Sequence, residues 1–233
     1  MNAASARRLG TIAGILVVLS IFAGGFAEVY VPGKLLVPAD PVATSRNVAE
    51  SAAMFRCSFA VYLLEAICDI TLALVLYELL KPVNRVLSLL AAFFGLVSTS
   101  TFATSELFYF LASVPILDSD VRGHLGPGER NLFTYAALTL YGYGGSLFMV
   151  FYGIATMLRG FLICRSTYLP AWLGALLLVA GAGFILKNFM LVLAPSYDSG
   201  YLLAPMFLAM IALAGRLLVK GVDTTRWPER VSP

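Results

Sequence analysis

Long apolar runs constrain the fold of this chain more than any other feature. A helix needs about 20 predominantly apolar residues to cross a hydrocarbon core about 30 Å thick. Six such runs, separated by short polar connections, predict an all-α polytopic bundle of six transmembrane helices. Only 12% of the residues are charged, whereas roughly 25% are charged in soluble proteins. The predicted spans cover about residues 9–31, 53–80, 86–112, 132–158, 171–193 and 201–219.

The first apolar run has two interpretations, a transmembrane helix and a cleaved signal peptide. It follows Arg7 and Arg8, and Gly25-Phe26-Ala27 resembles the small-residue site at which signal peptides are cleaved. The run is longer than the usual apolar region of about 7 to 15 residues, which favours a retained span. No connection is long enough to separate two domains, so residues 1–233 are predicted to form a single six-helix transmembrane domain.

Proline residues mark several of the predicted boundaries. Asp40 followed by Pro41 is typical of an N-cap with proline at the first helical position, and predicts an amphipathic helix that leads into the second span. Pro82 ends the second span, because the neighbours of proline resist the helical conformation. Residues 113–130 contain aspartate, glycine and proline and predict an exposed loop after the third span.

The distribution of Lys and Arg predicts the orientation of the bundle. Cytoplasmic connections of membrane proteins carry an excess of these residues. One side of the predicted bundle has ten of them and the other has five, which predicts that both termini are cytoplasmic. The ten are Arg7, Arg8, Lys81, Arg85, Arg159, Arg165, Arg216, Lys220, Arg226 and Arg230, and the five are Lys34, Arg46, Arg56, Arg122 and Arg130.

The composition argues against several classes of function. The net charge of +3 is small and the basic residues lie at helix ends, so nucleic acid is not an expected partner. His124 is the only histidine, which leaves zinc and haem sites without ligands, and we expect no metal or cofactor. Ser146 follows two glycines, but no span contains a histidine that could act as its base. We therefore expect no catalytic residues and favour a protein that is not an enzyme.

The second span carries acidic residues where charge is least expected. At 100° per residue, Ser58, Tyr62, Glu65 and Asp69 fall on one stripe, which apolar side chains continue toward the cytoplasmic end. A stripe facing lipid would cost roughly 2.5 to 3.5 kcal/mol per central charge. We therefore expect the stripe to face the interior and to line a polar pocket that opens outward.

Other spans place charged residues at comparable depth. Counted from the outer ends at about 1.5 Å per residue, Glu28 lies about 5 Å deep, Glu106 about 9 Å and Lys187 about 10 Å. At about 17 Å, Glu65 is within side-chain reach of Lys187. Arg56 lies near the rim but on the opposite side of its helix, which makes it a weaker candidate. The candidate ligand- or proton-binding residues are Glu65, Asp69, Lys187, Glu106, Tyr62, Glu28 and Arg56.

Three interpretations of these charges stay open at this stage. They could bind a small or amphiphilic ligand, an ion or a proton, because ionisable groups within spans often mark such sites. They could instead fix helix register in a non-catalytic scaffold or regulatory subunit. Glu65 and Asp69 could also act as an acid and base on a lipid substrate, although nothing identifies a nucleophile.

The fourth span contains the glycine-rich segment YGYGGSLFMVFYG. Gly142 and Ser146 are four residues apart, and Gly145 and Gly153 are eight apart. Small residues at such spacing let helices approach closely in lipid, and packing is the simplest explanation. The same segment leaves open an association between copies of the chain.

Two stretches, LYELLKPVNR and RSTYLPAWLG, carry a resemblance to a known family. With ADPVATSRNVAES and the flanking spans, they resemble the uncharacterised bacterial membrane family catalogued as domain of unknown function 4386, over nearly the whole chain. The resemblance implies a six-helix integral protein of the bacterial cytoplasmic membrane. It implies no activity, because none is assigned to the family.

The resemblance can be followed residue by residue. On the sixth span the family tends to have a glutamate and a tryptophan before the LLVKG run, where this chain has Met210 and Arg216. If that glutamate serves a shared function, this chain has altered or lost it. Pairing of Glu65 with Lys187 is not part of the family pattern. The matching positions are Asp40, Thr44, Asn47, Arg56, Asp69, Lys81, Pro82 and Asn84.

Overall fold

The fold comes from a computed structural model that describes residues 2–38, 40–194, 196 and 199–228. The described residues form helices and connections and contain no β-strand. Six of the helical segments are long and apolar enough to cross a membrane. The predicted all-α architecture of six membrane helices is therefore confirmed.

The helices are numbered α1 to α10 in chain order. The first membrane segment is continued beyond α1 by a π-helical turn, Gly25–Tyr30, and the last is preceded by a 3₁₀ turn, Gly200–Leu203. The bounds are α1 Ala3–Gly24, α2 Val31–Leu35, α3 Pro41–Glu50, α4 Ala52–Leu80, α5 Arg85–Leu111, α6 Val114–Leu117, α7 Ser119–His124, α8 Pro127–Arg165, α9 Ala171–Leu193 and α10 Ala204–Val219.

Side-chain caps explain where several helices begin. The Asp40 carboxylate accepts a hydrogen bond of 2.9 Å from the Ala43 amide, which confirms the predicted start of α3. At α8, the amide of Gly126 donates to Glu129 at 2.7 Å, which is half of a capping box. Because of this cap, α8 begins at Pro127, earlier than the predicted residue 132. It also ends later than predicted, at Arg165.

The connection over residues 113–130 is more ordered than the predicted loop. It contains the short helices α6 and α7 before the start of α8. The Asp118 carboxylate accepts hydrogen bonds from the amides of Asp120 and Val121 and so caps α7. The sequence missed these helices because their length of four and six residues is too short for a periodic pattern.

The chain divides into two compact units. The first unit consists of residues 1–20, 68–99 and 147–233, and the second of residues 21–67 and 100–146. Helices α1, α4, α5 and α8 contribute residues to both, whereas α9 and α10 belong to the first unit. That the whole chain forms one domain stays a prediction, as does the cytoplasmic location of both termini. Arg230, one of the basic residues behind that orientation, lies outside the described residues.

Paired glycines bring α8 and α9 together in the first unit. A Cβ atom on Gly174 would lie 2.5 Å from the Gly160 carbonyl oxygen, and one on Gly181 would lie 2.5 Å from the Gly153 carbonyl oxygen. Both distances are shorter than any ordinary Cβ contact. The two helices therefore cross at backbone contact, as small residues permit in membrane proteins.

The chain that follows α10 is tied to the connection between α8 and α9. Tyr168 donates a hydrogen bond of 2.6 Å to the Leu79 carbonyl, and its own carbonyl accepts one from the Asp223 amide at 3.1 Å. The Tyr168 ring also packs on Trp227, with 4.6 Å between ring centroids. Gly221 makes the turn after α10 with a φ of 63°, a conformation that favours glycine. These contacts hold the segment after α10 against the connection between α8 and α9.

Candidate functional site

The acidic stripe of α4 turns away from the helix's exposed face. Ser58, Tyr62 and Glu65 are buried, whereas neighbouring Leu63 is half exposed. Glu65 keeps 8% of its surface accessible, and one of its carboxylate oxygens lies 2.9 Å from where a Cβ on Gly24 would sit. A glycine at this position of α1 leaves space for the carboxylate within the second unit.

The π-helical turn Gly25–Tyr30 carries Glu28, which is half-buried. Single π-helical turns within α-helices occur frequently at functional sites. The turn is tied to α4, because the Ser58 hydroxyl donates a hydrogen bond of 3.3 Å to the Ala27 carbonyl. Glu28 therefore lies on a stretch of irregular backbone that a hydrogen bond holds to α4.

Three tyrosines from three helices meet in the second unit. The hydroxyls of Tyr62 and Tyr141 share a hydrogen bond of 2.6 Å, and the Tyr109 hydroxyl donates to Ser58 at 3.4 Å. The ring centroids of the three tyrosines lie 5.2 to 6.5 Å apart. Phe55 stacks on Tyr109 at 4.3 Å and completes an aromatic wall.

Glu106 lies beside these tyrosines and is the most enclosed acid of the group. Only 2% of its surface is accessible, and neither carboxylate oxygen has a hydrogen-bond partner among the described residues. Its carboxylate interacts electrostatically with Tyr62, Tyr109, Tyr141 and Glu28. We call Glu28, Tyr62, Glu106, Tyr109 and Tyr141 the Glu106 cluster. Every member belongs to the second unit.

A groove lies on the second unit. Its volume is about 270 Å³, a little below the range of about 300 to 1,000 Å³ that small-molecule sites have. Leu138 lines it, and Tyr141 of the cluster follows one helical turn later on α8. The lining residues are Leu36, Val37, Pro38, Pro41, Thr44, Tyr135, Leu138 and Thr139.

Asp69 belongs to the first unit and has partners of its own. The Ser20 hydroxyl donates a hydrogen bond of 3.0 Å to its carboxylate. Arg159 is only 7% exposed and interacts electrostatically with Asp69. A guanidinium nitrogen of Arg159 lies 2.7 Å from where a Cβ on Gly95 would be, so glycine makes room for it. Arg159 was counted among the cytoplasmic charges, and that assignment stays a prediction.

The two basic candidates belong to different units. Lys187 is half-buried on α9 of the first unit, and its pairing with Glu65 stays a prediction. Arg56 is exposed on α4, which agrees with its position on the face opposite Glu65.

Sequence reasoning named some members of the Glu106 cluster and missed others. Glu28, Tyr62 and Glu106 were predicted, whereas Tyr109 and Tyr141 were not. Tyr109 follows Glu106 by three residues and therefore shares its helix face, a signal that was present in the sequence. Tyr141 had no such signal, because only the fold brings it to Tyr62.

The chain belongs to the family described as Domain of unknown function (DUF4386), whose model matches residues 12–221. The predicted family is thereby confirmed. A similar chain from the archaeon Archaeoglobus fulgidus, titled "Uncharacterized protein", is 28% identical over 163 residues. The match covers 68% of this chain and 83% of that one. No solved structure matches.

Most residues of the family pattern form local ties at the ends of helices. The Thr44 hydroxyl accepts a hydrogen bond of 3.0 Å from the Val37 amide, and the Asn47 amide group donates to the Leu35 carbonyl at 3.2 Å. Asn84 caps α5 through a 3.0 Å hydrogen bond from the Leu87 amide. These contacts hold the connections between helices.

Proposed function

We propose that this integral membrane protein binds a small or amphiphilic ligand in an outward-facing polar pocket of the second unit, at the Glu106 cluster. The observation that carries the proposal is the Glu106 carboxylate, buried with both oxygens lacking a hydrogen-bond partner among the described residues. Leaving a buried polar group unsatisfied costs about 1 to 3 kcal/mol, and more when the group is charged. Such a group is therefore a candidate for contact with a ligand.

The groove supports an amphiphilic ligand. Its lining is largely apolar, with Leu36, Val37 and Leu138 among its residues, and the cluster next to it is polar. A molecule with an apolar body and a polar head can satisfy both surfaces at once. Binding beside an ionisable carboxylate also changes the proton affinity of that carboxylate, so proton coupling belongs to the same proposal.

A non-catalytic scaffold is the second candidate, and the first unit favours it. There Asp69 accepts a hydrogen bond from Ser20 and lies near the buried Arg159, as expected of polar groups that hold helices in register. The Glu106 cluster distinguishes the two candidate functions. A carboxylate without a hydrogen bond does not hold helices in register, so the scaffold function does not explain Glu106.

Thermal unfolding in nanodiscs tests the proposal. Octyltrimethylammonium, octanol and octanoate share one apolar chain and differ in head group. We expect at least one of them to raise the unfolding temperature of the wild type, and Glu106→Gln to abolish that increase. Glu50→Gln is the matched control, because Glu50 is an exposed carboxylate of the same unit. No increase with any compound, or equal increases in all three proteins, contradicts the proposal.

Location and partners are part of the same proposal. The six apolar helices require a lipid bilayer, and we place the protein in the bacterial cytoplasmic membrane as a multi-pass protein. Association between copies through the glycine-rich part of α8 stays a prediction. A Cβ on Gly142 or Gly145 would meet no atom within 4 Å, so these positions leave room for a neighbouring helix.

A further inference from the structure

We infer that a groove at the ends of α9 and α10 binds an anionic phospholipid, with its phosphate at Arg216 and Lys220 and an acyl chain on the apolar lining. The inference is independent of the proposed function, because it concerns residues of the first unit alone. It follows from the position of the groove, from its basic side chains and from its apolar lining.

The groove lies where α9 begins and α10 ends. Its volume is about 490 Å³, within the range of about 300 to 1,000 Å³ that small-molecule sites have. Pro170 and Trp172 line it from the start of α9, and Val219 and Lys220 from the end of α10. Because both helices are membrane spans, a groove at their ends lies at the surface of the bilayer, at the level of the lipid head groups.

Two basic side chains line the groove, Arg216 and Lys220. They are four residues apart at the end of α10 and therefore lie on the same side of that helix. The Arg216 guanidinium donates a hydrogen bond to the Gly221 carbonyl, which holds it at the end of the helix. A guanidinium has five N–H groups, so others are left to bind a phosphate.

The acidic side chains of the first unit have other basic partners. Neither Arg216 nor Lys220 forms an ion pair within the described part of the chain. Two positive charges at the groove are therefore available to an anion, and charge complementarity favours a phosphate. The acids and their partners are Asp69 with Arg159, Glu78 with Lys81, and Asp223 with Arg226.

The rest of the lining suits an acyl chain. Trp172 is 56% exposed, and tryptophan is enriched where spans meet the lipid head groups. Gly215 faces open space, since a Cβ there would meet no atom within 4 Å. A free phosphate ion would leave this apolar surface uncovered, whereas a phospholipid would cover it with its chain.

Quenching of tryptophan fluorescence by brominated lipids tests the site. The chain has two tryptophans, and Trp227→Phe removes the buried one while keeping a ring against Tyr168. Trp172 then reports alone. Vesicles that mix brominated phosphatidylglycerol with unbrominated phosphatidylcholine, and the reverse mixture, give the relative affinity of the two lipids at Trp172. Each basic residue contributes roughly fivefold in affinity for an anionic lipid. We therefore expect phosphatidylglycerol to bind about 10- to 25-fold more tightly.

Two variants separate the charge from the apolar lining. Lys220→Gln should lower the preference for phosphatidylglycerol about fivefold, and its exposed side chain makes the change tolerable to the fold. Arg85→Gln is the matched control, because Arg85 is an exposed basic residue of the same unit that does not line the groove. Gly215→Leu fills the groove without changing its charge and should weaken binding of phosphatidylglycerol at least about threefold.

Two results would overturn the inference. One is the absence of a preference at Trp172, and the other is an equal fall in Lys220→Gln and Arg85→Gln, which would show attraction to the basic surface as a whole.

Inorganic phosphate is the rival occupant. If it relieves the quenching by phosphatidylglycerol more than sodium chloride of the same ionic strength does, the groove binds a free anion and the phospholipid is overturned. Equal effects of the two salts support the phospholipid.

Discussion

Asp69 of the first unit and Glu106 of the second are both acids on apolar helices, and their surroundings differ. Asp69 accepts a hydrogen bond of 3.0 Å from Ser20 and lies near the buried guanidinium of Arg159. Glu106 has no hydrogen-bond partner among the described residues, and its carboxylate interacts electrostatically with Glu28, another acid. A carboxylate within a span therefore does not by itself indicate a ligand site. A carboxylate whose neighbours already supply a hydrogen bond and a cation has a structural role, whereas a carboxylate without a hydrogen bond is available to a ligand.

Glycines of α8 differ in how closely they are packed. Gly153 and Gly160 lie at the crossing with α9 in the first unit, where no side chain fits. In the second unit, a Cβ on Gly142 would meet no atom within 4 Å, whereas one on Gly144 would collide with the Ser105 hydroxyl oxygen. The space around each glycine therefore depends on its face of the helix.

The largest effect is expected at the glycine crossing. Gly174→Ala would place a Cβ 2.5 Å from the Gly160 carbonyl oxygen and 2.6 Å from the Cys164 amide, and backbone atoms cannot rotate away. We expect the free energy of unfolding to fall by more than about 3 kcal/mol. Chemical unfolding in lipid micelles measures it. Gly142→Ala is the control and should be neutral or stabilise by about 1 kcal/mol, because alanine favours a helix. Equal effects of Gly174→Ala and Gly142→Ala would contradict the difference in packing between these two positions.

A smaller effect is expected for the Asp69 and Arg159 pair. Arg159→Met leaves Asp69 without its nearby cation and should lower the free energy of unfolding by about 3 kcal/mol. Adding Asp69→Asn should recover part of that loss, with a coupling energy of about 1 to 3 kcal/mol in a double-mutant cycle. Additive effects would show that the two side chains do not act together.

The hydrogen bond from Ser20 should contribute less. Ser20→Ala removes the donor to Asp69 and should lower the free energy of unfolding by about 1.5 to 3 kcal/mol, the usual value for a bond to a charged group. Ser5→Ala is the control, because the exposed side chain of Ser5 lies at the start of α1 and should tolerate the change. A neutral Ser20→Ala would mean that Asp69 is not held by this contact.

The smallest effect concerns Asp223, an exposed residue outside the spans. Hydrogen bonds from Thr225 to its carboxylate lower its pKa below the ordinary value of 3.8. A carboxyl group whose pKa is depressed in the folded state stabilises the fold above its unfolded pKa and loses that contribution as the pH falls through the folded one. Asp223→Asn should therefore lower the stability at neutral pH, and this effect should shrink at an acidic pH below the ordinary pKa of 3.8. Unfolding curves at the two pH values test this.

Much of the fold could be predicted, because the lengths of the apolar runs and the positions of the prolines can be read from the local sequence. The predicted fifth span, 171–193, agrees with α9, and the second differs from α4 by one residue at its start. The start of α8 was wrong because a capping contact between Gly126 and Glu129 begins it early. The predicted end was also wrong, because α8 continues to Arg165. Arg159 therefore lies within the helix, six residues, or roughly 9 Å, before its end.

The site was less predictable, because it depends on which helix faces meet. The α4 stripe correctly indicated that Tyr62 and Glu65 are buried, since lipid exposure of charge is costly. It also grouped Glu65 with Asp69, whereas the two belong to different units and have different contacts. The π-helical turn at Glu28 and the arrival of Tyr141 beside Tyr62 are results of tertiary packing that no local pattern indicates.

The most direct test compares the stabilities of Glu106→Gln and Asp69→Asn in the same nanodiscs without ligand. If Glu106 is kept for a ligand, neutralising it removes an unsatisfied buried acid, and its unfolding temperature should equal or exceed that of the wild type. Asp69→Asn should lower the unfolding temperature, because it weakens the contacts with Ser20 and Arg159. A fall in Glu106→Gln as large as that in Asp69→Asn would contradict the account and assign both acids to the fold.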